Sequence, residues 1–281
     1  MTAFTTTPHL RSRPAPPSPL RGGLSRGGLE LRQFFREKDA VVFTFSLPVV
    51  MLVLLASIYR DTVPGTGVGA GQIFAASMIA AGIMSATFVS LGNGIAQDGD
   101  DGTLKRLRGT PTPLTSYFLG KVLLVLVVSL AEVVLLLAVG RGFFGLVLPT
   151  EPERWLTFGW VFLLGVVACA LLGIAVGSLA RSAKSASAII MLPFIGLQFI
   201  SGVLVNPITN LPAPLVQLGS VFPLKWMAQG FRSVFLPDSM TFQEVAGSWE
   251  PGRTALVLAA WCAGGLVLCL LTFRRRNSQR G

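Results

Sequence analysis

Long apolar runs with almost no charge constrain this chain more than any other feature. A hydrocarbon core about 30 Å thick is crossed by about 20 apolar residues in a helix. Charge-free runs of that length occur at 40–58, 71–96, 155–180, 185–205 and 254–273. A sixth run, 122–140, holds one ionisable residue, Glu132, among valines and leucines. With 52% apolar and 13% charged residues, the chain reads as an all-α polytopic membrane protein with six transmembrane helices.

The net charge of +10 invites a nucleic-acid partner, but topology accounts for it first. If both termini are cytoplasmic, most of the 23 basic residues fall inside, and only Arg60, Arg141, Arg154, Lys225, Arg232 and Arg253 fall outside. Arg36, Lys38, Lys121, Arg181 and Arg274 flank spans, where the bias reports orientation best. The expected location is therefore the cell (cytoplasmic) membrane, multi-pass, with N- and C-termini cytoplasmic and no nucleic acid bound. Residues 1–39 lack an apolar core followed by a small-residue cleavage site, so the first span is expected to direct insertion.

Several chemistries lack their parts. Cys169, Cys262 and Cys269 lie in spans without CxxC spacing, and the only histidine, His9, sits in a Pro- and Arg-rich tail, so no metal site is expected. A phosphate cradle needs Gly-x-x-x-x-Gly-Lys-Ser/Thr; here Gly120-Lys121 is followed by Val122 and preceded by Thr115 where the first glycine belongs. The chain is thus expected to have no catalytic residues and not to be an enzyme on its own.

Residues 1–28, with Pro14, Pro16, Pro17 and Pro19 among arginines and glycines, read as a disordered cytoplasmic arm, and 29–281 as the transmembrane domain. Between Leu29 and Asp39, Leu31, Phe34 and Phe35 share one helical face opposite Arg32 and Arg36. That pattern fits an N-terminal interfacial amphipathic helix, or equally a cytoplasmic extension of span one. Pro48 and Pro193 lie within spans one and five, where proline kinks helices. After span five, 213–222 and 224–236 are apolar but too short to cross, so short re-entrant or interfacial helices are expected between spans five and six, with Trp226, Phe231 and Phe235 at headgroup level.

The loop from Gln97 to Gly120 is the most informative. Asp98, Asp100 and Asp101 precede Thr103 to Arg108, and Gly109 and Pro111 follow, the charge order and stop signals of a short helix. Leu104 and Leu107 share a face among Lys105, Arg106 and Arg108, which fits a protein socket; a basic loop touching anionic headgroups is the plainer alternative. Within the membrane, Glu132 is costly and reads as a substrate-path or helix-contact residue, and Asn93 and Gln198 as polar contacts between helices.

The stretch Asp101-Gly102-Thr103-Leu104-Lys105-Arg106-Leu107-Arg108-Gly109-Thr110-Pro111, running on to Gly120-Lys121, resembles the signature loop of ABC type-2 exporter permeases of the drug-resistance type. Members usually carry Glu where this chain has Asp101. Ser201-Gly202-Val203, Asn206-Pro207, Leu211-Pro212 and Pro223-Leu224 resemble the family's segment after span five, and the likeness covers about 25–275. The resemblance implies a permease subunit paired with a second permease chain, the same or similar, and with two copies of a separate ATPase subunit. It makes Asp101 to Arg108 the ATPase-coupling helix, with Leu104 and Leu107 as anchors. No cofactor is implied on this chain; ATP and Mg belong to the partner. The implied function is export of an amphipathic drug, antibiotic or lipid-like substrate, including antibiotic resistance. The alternatives are a proton-coupled secondary transporter using Glu132 and a non-transporting membrane scaffold.

Overall fold

Small side chains decide which helix stands in the middle of the bundle. Span two carries Ala75, Ala76, Ser77, Ala80, Ala81 and Gly82 in near-unbroken succession, so neighbouring helices can approach it from every side. In the computed structural model, which describes residues 18–103, 106, 114–180 and 182–278, that span is almost wholly enclosed by protein.

The helices are α1 (Pro19–Arg36), α2 (Lys38–Ile58), α3 (Ala70–Met84), α4 (Ser90–Asp100), α5 (Leu114–Phe144), α6 (Pro152–Leu179), α7 (Ala183–Ile200), α8 (Ala213–Val221), α9 (Pro223–Phe235) and α10 (Pro251–Ser278). Among the described residues, six helices are long and apolar enough to cross a membrane: α2, the continuous pair α3–α4, α5, α6, α7 and α10. An even number of crossings brings the start of α2 and the end of α10 to the same end of the bundle. No strand forms among the described residues; one isolated bridge joins Thr62 to Gly69.

A π-helical turn, Ser85–Val89, joins α3 to α4. Its altered backbone pattern is supported by side chains: Thr87 Oγ1 donates to the Ile83 carbonyl at 2.6 Å and Ser90 Oγ to the Ser85 carbonyl at 3.2 Å. Below it the backbones of α4 and α6 touch, because Gly92, Gly173 and Gly177 meet there. A Cβ on Gly173 would sit 2.8 Å from the Phe88 carbonyl oxygen, and one on Gly177 would strike the Gly92 carbonyl.

The helix ends follow local chemistry. Pro152 opens α6 in the first turn, and Ser182 and Ser185 form a reciprocal capping box at the start of α7. Span five was expected to reach 205, but α7 stops at Ile200: Gly202 turns the chain with φ +69, a conformation that opposes continuation. Pro48 and Pro193 lie inside α2 and α7 as expected.

The N-terminal helix differs from expectation. The arm drawn to residue 28 overlaps α1, which begins at Pro19 with Ser18 accepting from the Arg21 amide at 3.4 Å. Three of the four glycines that argued for disorder, Gly22, Gly23 and Gly27, are packing positions instead. A Cβ on Gly23 would lie 2.6 Å from Leu119 Cβ and one on Gly27 2.6 Å from Leu123 Cδ2, so α1 lies directly on α5. An adjacent face leaves Leu20, Leu24 and Phe35 exposed, with Leu31 and Phe34 partly covered. This apolar stripe suits an interfacial helix.

Between spans five and six, α8 and α9 occur close to the expected boundaries. Trp226 and Phe231 are fully buried and Phe235 nearly so, packed against neighbouring helices and not exposed. The reason is that α9 buries its polar face as well, packing against α3, α6 and α10.

Candidate functional site

The sequence's most informative loop is shorter than expected. Helix α4 runs to Asp100 and α5 starts at Leu114, well before the expected span start at Val122, because residues outside the apolar runs are held by packing against α1. Asp101 caps α4, Gly102 reverses the chain with φ +71, and a helical turn follows in which the Arg106 amide donates to the Gly102 carbonyl at 3.0 Å. Arg106 Nη2 also donates to the Asp101 carbonyl at 2.7 Å. Thr103 begins this turn; Leu104, Lys105, Leu107 and Arg108 lie outside the described residues.

The three acids do not act together as the first turn of the loop helix. Asp98 and Asp100 close the preceding helix and fasten it sideways. Asp100 Oδ2 accepts from the Ala183 amide at the start of α7 at 3.1 Å, and Asn93 Oδ1 accepts from Ser187 Oγ at 3.2 Å. Asp98 Oδ2 accepts from the Tyr117 hydroxyl at 2.7 Å and pairs with Lys121 Nζ at 2.9 Å.

Lys121 stands at the centre of a charged crossing of three helices. Its Nζ also reaches Glu30 Oε2 of α1 at 2.7 Å, and Glu30 in turn meets Arg26 Nε at 3.3 Å. Arg26 and Lys121 both lie over the Tyr117 ring, at 4.9 and 5.5 Å from its centroid. Side-chain exposure is 8% for Lys121, 12% for Glu30 and 22% for Asp98, so these ions have given up most of their water and depend on one another. The crossing brackets the loop, with Asp98 just before it and Lys121 one to two turns after it. Sequence analysis had placed Lys121 at a span boundary and overlooked its partners. The available signal was Glu30, a lone acid in an arginine-rich helix.

Beside the crossing is a cavity of about 580 Å³ between α1, α2, α4, α5 and α7. Its wall includes Phe34, Phe43, Asn93, Leu124 and Met191, with Asp98 and Lys121 at its inner edge. Of the three intramembrane polar candidates, only Asn93 lines this space. Gln198 is buried on α7. Glu132 is fully buried against Gly82 of α3, where its Cγ would lie 2.6 Å from an added Cβ, and its carboxyl oxygens have no hydrogen-bond partner among the described residues.

A second buried ionic group lies at the far end of the bundle. Arg232 Nε pairs with Glu244 Oε1 at 2.7 Å, and Arg232 Nη1 donates to Ser77 Oγ and to the Gly202 carbonyl, both at 3.0 Å. Lys225 Nζ donates to Gln229 Oε1 at 2.7 Å and lies 3.6 Å from the centroid of the Trp226 ring. Burial lowers the Lys225 ammonium to about 8, against the opposing pull of Glu244 and Glu250. Charge counting assigned both cations to segments outside the membrane and said nothing of their burial; both are buried within the protein.

Among the described residues, five apolar helices around an enclosed sixth define the class: a multi-pass helical membrane protein. The model of the ABC-2 type transporter family matches residues 29–236, most of the chain, and the chain belongs to that family. No curated protein matches it. It is therefore the membrane permease component of an ABC transporter, distinct from the catalytic ATPase with which such a transporter works.

Proposed function

We propose that this chain is the permease of an ATP-driven exporter that moves an amphipathic drug, antibiotic or lipid-like molecule out across the cell membrane. It pairs with a second permease chain and two copies of a separate ATPase subunit, which hold the ATP and Mg. Both termini and the 101–113 loop face the cytoplasm, in keeping with the basic residues of that end.

What supports coupling through the loop is the Lys121 crossing. A loop seated in an ATPase groove would carry Asp98 with it, and Asp98 shares Lys121 with Glu30 at 2.9 and 2.7 Å. A displacement of the loop therefore reaches α1 and α5 together. Closure of the ATPase pair on ATP favours one arrangement of these helices, and hydrolysis releases it.

The test is ATP-dependent substrate accumulation in inverted vesicles containing the ATPase subunit, comparing wild type with Leu104→Ala/Leu107→Ala. Accumulation lost in the variant while the complex persists is the expected result. Accumulation driven by a proton gradient without ATP, and insensitive to the variant, would overturn it in favour of a secondary transporter. An ATPase that binds but moves nothing would favour a scaffold.

A further inference from the structure

The cavity beside the crossing reverses the sign of its surroundings. The chain carries net charge +10, and α1 exposes Arg32 and Arg36. The described residues of the cavity wall, by contrast, include Glu30, Glu37, Asp98 and Asp101 against Arg26 and Lys121. Both wall cations already face carboxylates, Arg26 at 3.3 Å from Glu30 and Lys121 within 2.9 Å of both Glu30 and Asp98. Among the described residues of the wall, an incoming anion would find no free positive charge.

Glu37 and Asp101 have no ion pair among the described residues, and Glu37 accepts one hydrogen bond, from Gln33 Nε2 at 3.2 Å. Both carboxylates are exposed at the rim. Between them and the interior lies a mixed wall: the rings of Phe34 and Phe43, the aliphatic side chain of Leu124, and the adaptable thioether of Met191. Phe43 is 48% exposed on α2, so an aromatic face stands at the mouth. A space of about 580 Å³ is of the size that takes a small organic molecule.

We infer that this cavity is the entry site for a cationic amphiphile, whose ammonium sits between the Glu37 and Asp101 carboxylates while its apolar body lies along Phe34, Phe43, Leu124 and Met191. The inference rests on the permease reading and narrows its substrate class to cations. Rim carboxylates attract the charge from water, and the aromatic faces hold it by cation–π contact as water is left behind. The Lys121 crossing forms the cavity's inner edge, so occupation of the site and movement of the loop involve the same side chains.

The experiment is equilibrium binding to the purified full chain in zwitterionic-lipid nanodiscs, with empty nanodiscs subtracted. The probes are rhodamine 6G (cation), Nile red (neutral) and 8-anilinonaphthalene-1-sulfonate (anion). Saturable rhodamine 6G binding is expected, about fivefold weaker in Glu37→Gln and weaker again in Glu37→Lys, with Nile red unaffected by either. Phe43→Ala, a change at a half-exposed position, weakens rhodamine 6G and Nile red alike. Unchanged rhodamine 6G affinity in Glu37→Lys, or tighter binding of the anion than of the cation, would overturn the inference.

Binding requires no ATPase, so the two readings fail separately. Saturable cation binding without ATP-driven accumulation in vesicles sinks export and leaves the site. ATP-driven accumulation of anionic or neutral amphiphiles alone leaves export and sinks the cation site.

Discussion

Replacing Lys121 by Met removes one ammonium and keeps most of its volume, so it isolates the charge at the three-helix crossing. At separations of 2.7 and 2.9 Å, each carboxylate contact amounts to about 6 kcal/mol of gross attraction at an effective dielectric constant of about 20. Most of that offsets the loss of water around three ions. Without the ammonium, the Glu30 and Asp98 oxygens remain within about 6 Å of each other and repel by about 3 kcal/mol. Glu30 and Asp98 are 12% and 22% exposed, and Arg26 remains nearby, which screens part of this. The expected loss is about 2–3 kcal/mol of stability, or roughly 5–10 °C in thermal midpoint. Thermal unfolding of the detergent-solubilised chain measures it. The triple variant Glu30→Gln/Asp98→Asn/Lys121→Met should recover most of the loss, because a neutral set needs no counter-ion. A midpoint unchanged in Lys121→Met, or a triple variant no better than the single, would refute the reasoning.

Gly23→Leu places a Cβ 2.6 Å from Leu119 Cβ, an atom fixed to the α5 backbone, so α1 must lift; the cost is about 1–3 kcal/mol, read as faster proteolysis within 19–36. Arg232→Met leaves the Glu244 carboxylate buried and unpaired, an expected loss of about 3–5 kcal/mol seen as a lowered thermal midpoint, and Arg232→Met/Glu244→Gln should restore much of it. Lys225 holds its proton up to about 8 when folded and to 10.5 when unfolded. The unfolded chain therefore binds more protons between these values, and stability rises with pH across that window, by up to about 1.4 kcal/mol per pH unit. Unfolding midpoints taken from pH 7 to 10.5 should show this rise in wild type and lose it in Lys225→Met.

The crossings were legible because a bilayer demands about 20 apolar residues per helix wherever it is spanned, a local requirement written in consecutive positions. The same holds for the helices after span five, marked off by Pro223, and for the turn at Asp101-Gly102. Hydropathy failed where packing took over from lipid. Helix α5 begins at Leu114 because Tyr117 and Lys121 find partners on α1 and α4, and α1 begins at Pro19 because Gly23 and Gly27 accept Leu119 and Leu123. In isolation those glycines read as disorder, since a missing side chain means flexibility until a neighbour fills the space.

The sequence by itself determined that this protein spans a membrane six times, that a short basic loop joins spans two and three, and which family it resembles. Only the tertiary structure decided what the charges do. Lys121, Arg232 and Lys225 look alike in a list of basic residues, yet one joins three helices, one is buried with Glu244 and one lies against Trp226. An ion's role depends on what stands within about 4 Å of it, and those partners come from segments far away along the chain.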